Sequence, residues 1–160
     1  MNPCLSLGIE TFFAEAAAAG TDGCLLVDLP LEHAGPWRAA GRARGVPLVP
    51  LLAPTADRDR ERRILSNADA FVYLVARTGI TGAQPADVEA VRARAERLRG
   101  EFGTPLASGF GIRTPAQAQA FAGAVDLVVV GSLFVETLAE KGVSGLAATA
   151  AEMVQALEGS

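Results

Sequence analysis

The sequence predicts an α/β fold built on a parallel sheet. Three observations carry that reading: five short apolar runs punctuate the chain, a helical pattern follows each, and none of the runs alternates apolar with polar residues. Strands that are apolar throughout are covered on both faces, as in a parallel sheet with helices packed outside it. The 160 residues suffice for a single domain over 1–160. They fall short of the ~250 residues typical of a complete eight-stranded α/β barrel.

Taken in order, Gly8–Ala19 reads as a helix stopped by Gly20, where a left-handed C-cap costs little. Cys24–Val27 is the first strand, closed by Asp28-Leu29-Pro30. Leu31–Arg44 is the next helix, ended by Gly45. Leu48–Leu52 is the second strand, with Pro54 after it, although Pro50 removes one ladder donor. Thr55 or Asp57 caps a helix that runs to about Ser66, and Ala70–Val75, β-branched and aromatic, is the third strand. The loop Arg77–Gly82 leads to a helix from about Pro85 to Arg99. Pro105–Ser108 is the fourth strand and runs into Gly109-Phe110-Gly111-Ile112. Thr114 as N-cap, Pro115 at N1 and Gln117 at N3 form a capping-box signature. Asp126–Val130 is the fifth strand, followed by Gly131-Ser132, a short helix over Leu133–Leu138 and a terminal helix over Val143–Leu157.

The pattern is therefore five strands, each followed by a helix, with one helix in front. Crossovers between parallel neighbours are right-handed. Two architectures satisfy this order: a five-stranded doubly wound sheet, or five consecutive units of a barrel wall. A doubly wound sheet pairs strands out of chain order; a barrel wall pairs them in chain order.

Composition excludes several classes of function. The net charge is −4 and the arginines are scattered over helical faces, which argues against a nucleic-acid surface. No apolar run reaches the ~18–20 residues of a membrane helix. The start MNPCLSLGIE lacks the basic region of a secretory signal, so the cytoplasm is the expected compartment. Cys4 and Cys24 lie in no CxxC or Cys/His spacing and read as small buried hydrophobes; His33 stands alone as a surface residue. No metal site is expected. The single lysine, Lys141, lies between helices and offers no pocket for Schiff-base chemistry.

Ligands of either architecture sit at the carboxyl ends of the strands. The residues there are Asp28, Pro54, Arg77 to Gly82, Gly109 to Ile112 and Gly131-Ser132. The last three strands all end in glycine-containing loops, where backbone N–H groups can approach a ligand closely. Gly131-Ser132 adds a helix start and a hydroxyl, and such a set suits a phosphate. A dinucleotide is not indicated: Gly109-Phe110-Gly111 lacks the third glycine of that fingerprint, and no Walker A pattern occurs. Tyr73 is either a pocket tyrosine or a core tyrosine bonded to backbone. Asp28 is either a general acid or base or a residue that fixes its loop.

Val27-Asp28-Leu29-Pro30, Leu51-Leu52-Ala53-Pro54-Thr55, Tyr73 with Gly79-Ile80-Thr81-Gly82, Gly109-Phe110-Gly111-Ile112 and Val130-Gly131-Ser132 together resemble the tryptophan synthase alpha subunit. Asn2-Pro3 with Leu7-Gly8-Ile9-Glu10 and Phe12 resembles the segment just after that family's third strand. The resemblance covers essentially the whole chain. It implies a partial TIM (β/α)8 barrel made of the last five βα units, with the first three strands absent. The implied reaction is retro-aldol cleavage of indole-3-glycerol phosphate to indole and glyceraldehyde 3-phosphate in tryptophan biosynthesis. The implied partner is a pyridoxal-phosphate-dependent beta subunit that receives indole through a tunnel; the alpha subunit itself needs no cofactor.

Carried onto this sequence, the resemblance gives phosphate binding to Gly82, Gly111, Gly131 and Ser132. It gives the indole and glycerol pocket to Tyr73, Phe110, Leu25, Leu51 and Val129, and places Thr81 on a loop that closes over substrate. The family's catalytic glutamate and aspartate have no counterpart, and Glu10 and Glu15 lie on a helix, where they cannot replace them. The resemblance thus implies a chain inactive by itself. An incomplete barrel also exposes sheet edges and inward apolar side chains, which invites self-association. The alternatives are a non-catalytic module that binds a phosphate ligand or the beta subunit, and a self-contained doubly wound phosphate-binding domain.

Overall fold

Helix and strand alternate along the chain in a computed structural model that describes residues 2–76, 88–109 and 111–159. The strands β1 (Leu51–Leu52), β2 (Val72–Leu74), β3 (Leu106–Ser108) and β4 (Leu127–Val128) form one sheet in the order β1-β2-β3-β4. Neighbours in space are neighbours in sequence. That is the order of a barrel wall, and it corrects the alternative of a self-contained doubly wound sheet.

The predicted strand at Cys24–Val27 is reduced to a parallel bridge between Cys24 and Leu48. Cys24 N–H donates to the Pro47 carbonyl at 2.9 Å, and Val49 N–H donates to the Cys24 carbonyl at 2.8 Å. Pro47 on the facing run supplies no N–H to the Cys24 side, which limits the ladder, whereas Pro50 faces β2. Among the described residues no strand pairs with the other side of Cys24.

Two compact units make up the chain. The first comprises Met1–Leu52 and Ala56–Tyr73. Its helices α1 (Asn2–Leu7) and α2 (Ile9–Ala18) are separated by Gly8 at φ +86°, a conformation open chiefly to glycine. Only α2 was predicted, because six residues with Pro3 near the start carry too little periodicity to read. Phe13 is fully buried and packs edge-on to Trp37, with ring centroids 6.2 Å apart at 66°, and to Phe12 at 5.0 Å and 75°. These rings join Ala40, Val46 and Leu48 in the core of the unit, and Cys4 and Cys24, each half-buried, pack against it.

A 3₁₀ turn over Leu31–His33 precedes α3 (Ala34–Ala43), so the predicted helix starts tighter than expected. Gly41 on α3 meets the Phe13 ring: a Cβ there would stand 3.0 Å from Phe13 Cε1 and collide with the Val46 carbonyl. The helix α4 (Arg58–Leu65) is capped by Asp57, whose Oδ1 accepts from Arg60 N–H at 2.8 Å, which decides between the two predicted caps.

The second unit comprises Ala53–Thr55 and Leu74–Ser160. Its helix α5 (Val88–Phe102) buries Val91, Ala95 and Leu98, spaced to share one face. All three residues of β3 are buried, and the Ser108 hydroxyl donates to the Leu74 carbonyl at 2.8 Å, which satisfies an otherwise costly buried polar group. The strands β3 and β4 pair in parallel, with Ala107 opposite Leu127 and Ser108 opposite Val128. The Asp126 carboxylate accepts from Leu106 N–H at 2.8 Å and so fixes the start of that pairing.

The helix α6 (Pro115–Ala120) carries the predicted capping box in full: Thr114 Oγ1 accepts from Gln117 N–H, and Gln117 Oε1 accepts from Thr114 N–H. The last helix, α7 (Ser132–Glu158), is broken at Gly142, which has φ 66° and ψ −168°. The break divides it into the two helical segments that the sequence predicts.

Candidate functional site

The second unit holds the residues expected to bind phosphate. The strands β3 and β4 lie side by side, so the loops that follow them are neighbours. At the end of β3, Gly109 approaches Val129 closely: a Cβ on Gly109 would stand 2.7 Å from Val129 N and collide with its carbonyl. This approach keeps the Val129 N–H on the Ser108 carbonyl at 3.0 Å. Sequence reasoning counts Gly109 in a glycine loop and in a weak GxG, and misses this packing requirement. The signal was present in a glycine directly after a buried strand, but its reason lies in a pairing twenty residues away.

Two residues further on, Gly111 is exposed at φ +75°. Ile112, 4% exposed, anchors the loop in the core. Arg113 and Thr114 N–H both donate to Gln117 Oε1, at 2.7 and 3.1 Å, so the backbone after Gly111 is tied to α6.

At the end of β4, Gly131 is the N-cap of α7, and its carbonyl accepts from Phe134 N–H at 2.9 Å and Val135 N–H at 3.2 Å. The amides of Ser132 and Leu133 therefore begin the helix without an intrahelical acceptor. Ser132 and its hydroxyl are exposed beside them. The start of α7 thus presents backbone amides beside the Ser132 hydroxyl, next to the loop that carries Gly111, an arrangement suited to an oxyanion. The fourth expected phosphate residue, Gly82, lies outside the described residues, as do Thr81 and Phe110.

The loop after β3 is also tied to α7 by a forked ion pair. The Arg113 guanidinium donates from Nη1 to Glu136 Oε1 at 3.1 Å and from Nη2 to Glu136 Oε2. Arg113 holds the Glu136 carboxyl below the usual glutamate range, chiefly through the hydrogen bond, and Glu136 in turn raises the guanidinium.

The predicted pocket residues fall in both units. In the first, Tyr73 N–H donates to the Pro50 carbonyl at 2.9 Å, which puts Tyr73 opposite Leu51 in parallel register and on the same face. Both side chains are half-buried, and burial pushes the Tyr73 phenol above its ordinary value. Leu25 is exposed on the Cys24 run, 37%, and Val27, two residues on, 75%. In the second unit, Val129 and Leu127 share a face and are exposed, 37% and 41%. These are strand-borne apolar side chains without full cover, as an incomplete barrel predicts.

Glu10 and Glu15 are exposed on α2 and stand at no strand end. Asp28 is exposed in the turn before Leu29, and His33 is exposed in the 3₁₀ turn. Among the described residues no group of three or more His, Cys, Asp or Glu could hold a metal ion, and no helix is long and apolar enough to cross a membrane. An apolar cleft in the first unit runs past Leu26, Leu29, Leu48 and Ile64 with Arg38 and Arg60 beside it. Both guanidiniums have carboxylate partners, Arg38 with Asp69 at 3.6 Å and Arg60 with Glu32 at 3.3 Å.

Comparison with known proteins agrees with this layout. The family model of the tryptophan synthase alpha chain matches residues 1–159. The tryptophan synthase alpha chain of Caulobacter sp. (strain K31) is 46% identical over 138 residues, which is 86% of this chain and 50% of that protein. That of Geotalea daltonii is 40% identical over 157 residues, 98% of this chain and 60% of that one. Among solved structures, tryptophan synthase subunit alpha from Legionella pneumophila str. Paris superposes with a TM-score of 0.82 at 28% identity, covering 99% of this chain and 60% of that one. A structure of the tryptophan synthase α2β2 complex from Pyrococcus furiosus gives a TM-score of 0.74 at 31% identity, with 99% and 62% coverage. The chain spans only half to about three-fifths of the length of these relatives. Sheet order, loop positions and family match converge on one fold class, a partial TIM barrel, and the chain belongs to the tryptophan synthase alpha chain family.

Proposed function

We propose that this chain carries the phosphate-holding end of the family's reaction and lacks the groups that move its protons. The reaction is retro-aldol cleavage of indole-3-glycerol phosphate to indole and glyceraldehyde 3-phosphate. The observation that carries the reading is the adjacency, within one unit, of the Gly111 loop and the Gly131-Ser132 helix start. In this reading the phosphate accepts from those backbone amides and from the Ser132 hydroxyl, with Gly82 adding a further amide. The family resemblance assigns the indole and glycerol to Tyr73, Leu51, Leu25, Val129 and Phe110 and the covering loop to Thr81, and the proposal keeps that assignment.

Cleavage requires a proton delivered to the indole ring and another removed from a glycerol hydroxyl. Each such transfer, assisted by a positioned acid or base, is worth ~10²–10⁴-fold in rate. The family's glutamate and aspartate have no counterpart in these 160 residues, and the glutamates on α2 are in the wrong place. The chain therefore binds phosphate and does not turn substrate over by itself.

The reading treats residues 1–160 as one incomplete barrel domain acting in the cytoplasm with a beta subunit as partner. The α2β2 complex of the Pyrococcus furiosus relative supports that partner. Leu25, Val27, Leu127 and Val129, exposed on the strand runs, support self-association of the isolated chain. The test is release of indole from indole-3-glycerol phosphate with the beta subunit present. The reading expects no release above background; turnover near that of a full-length alpha subunit overturns it.

A further inference from the structure

We propose that Arg113 and Glu136 form a clamp that positions the two phosphate loops against each other. The inference rests on the phosphate reading above and adds two residues that it does not contain. Arg113 follows the Gly111 loop directly, and Glu136 lies four residues after Ser132 on the first turns of α7. The pair is forked, with both guanidinium Nη atoms engaged by both carboxylate oxygens, so it fixes orientation as well as separation.

The backbone around Arg113 is fixed from the other side. Gln117 Oε1 accepts from Arg113 N–H at 2.7 Å and Thr114 N–H at 3.1 Å, and Ile112 is buried. With its main chain held by α6 and its side chain held by α7, Arg113 transmits the position of one loop to the other. The Gly109–Val129 contact fixes the strand ends, but Gly111 and Gly131 further along have no heavy atom within 4 Å of where a Cβ would be. Beyond the strand ends it is the clamp that holds the loops together.

The charge of Glu136 allows a decisive test. A carboxylate on the helix that presents Ser132 repels a phosphate, so its neutralisation by itself strengthens phosphate binding. A clamp predicts the opposite, because Glu136→Gln opens the fork and releases the loop. Arg113 and Glu136 are about half exposed, and an exposed pair of good geometry accounts for up to about fivefold in an equilibrium constant.

The experiment is equilibrium dialysis of the full chain against radiolabelled inorganic phosphate, with wild type, Glu136→Gln, Arg113→Lys and the exchanged pair Arg113→Glu/Glu136→Arg. Lysine keeps the charge and loses the fork. The expected result is about three- to fivefold weaker binding for Glu136→Gln and Arg113→Lys, and partial recovery in the exchanged pair, with unchanged far-ultraviolet circular dichroism in all four. Equal or tighter binding by Glu136→Gln overturns the clamp and leaves the phosphate site standing. No binding by the wild type overturns the phosphate reading and the clamp with it.

Discussion

Replacing Gly109 by alanine tests whether the ends of β3 and β4 are locked by backbone contact. The new Cβ would lie 2.7 Å from Val129 N and 2.9 Å from Val129 C, and would collide with the carbonyl oxygen. All are main-chain atoms, so no side-chain rotation relieves them. Gly109 also sits at φ +155°, where side chains are disfavoured. Overpacking of a close contact costs about 1–3 kcal/mol. Loss of the 3.0 Å bond from Val129 N–H to the Ser108 carbonyl adds about 1 kcal/mol. The sum, about 2–4 kcal/mol, is a large share of the ~5–15 kcal/mol that holds a typical domain together. With a urea slope of about 2 kcal/mol per molar, the middle of the usual range, the denaturation midpoint should fall by ~1–2 M. Gly131→Ala is the matched control, since no heavy atom lies within 4 Å of its Cβ position and its φ is −106°. It should shift the midpoint by less than ~0.5 M. A Gly109→Ala midpoint indistinguishable from that of Gly131→Ala refutes the reasoning.

Two further outcomes follow from the first unit. Phe13→Ala removes a fully buried ring from its contacts with Phe12 and Trp37 and should cost about 3–5 kcal/mol in urea denaturation; a loss under ~1 kcal/mol would contradict the packing described. Tyr73 is the only tyrosine, and burial raises its phenol, so absorbance at 295 nm should titrate above the free-tyrosine midpoint and return to it in denaturant. Because the folded value is the higher one, the stability this shift contributes is complete below the unfolded pKa. It is lost as pH rises through the folded one. A native midpoint at or below the denatured one would place the phenol in water.

What the sequence made legible was local. Thr114, Pro115 and Gln117 lie within one turn, and their capping box formed as read. Asp57 and Thr55 were both suitable caps, and only the path of the chain chose Asp57. The positions of β1 to β4 were legible because an apolar run flanked by turn residues needs no distant information. The strand at Cys24 was not, since pairing depends on a neighbour, and Pro47 withholds a donor from the one it has.

Of the candidate site, the glycine loops were readable by their place after strands. The reason Gly109 must be glycine was not readable, because it lies in Val129 across the sheet. The Arg113–Glu136 pair was equally hidden, its partners 23 positions apart on a loop and a helix. The local pattern already suggested a phosphate at these loops, and the family resemblance added the substrate that carries it.

The central claim is that the chain holds the phosphate end of the substrate but cannot break its carbon–carbon bond. The most direct measurement follows both in one sample: the ³¹P resonance of indole-3-glycerol phosphate titrated with the chain, and free indole extracted into toluene and assayed over the same hours. The account predicts a ³¹P line that broadens with protein concentration while indole stays at the level of a protein-free control. A sharp, unshifted line would contradict the binding half of the claim, and steady release of indole would contradict the catalytic half.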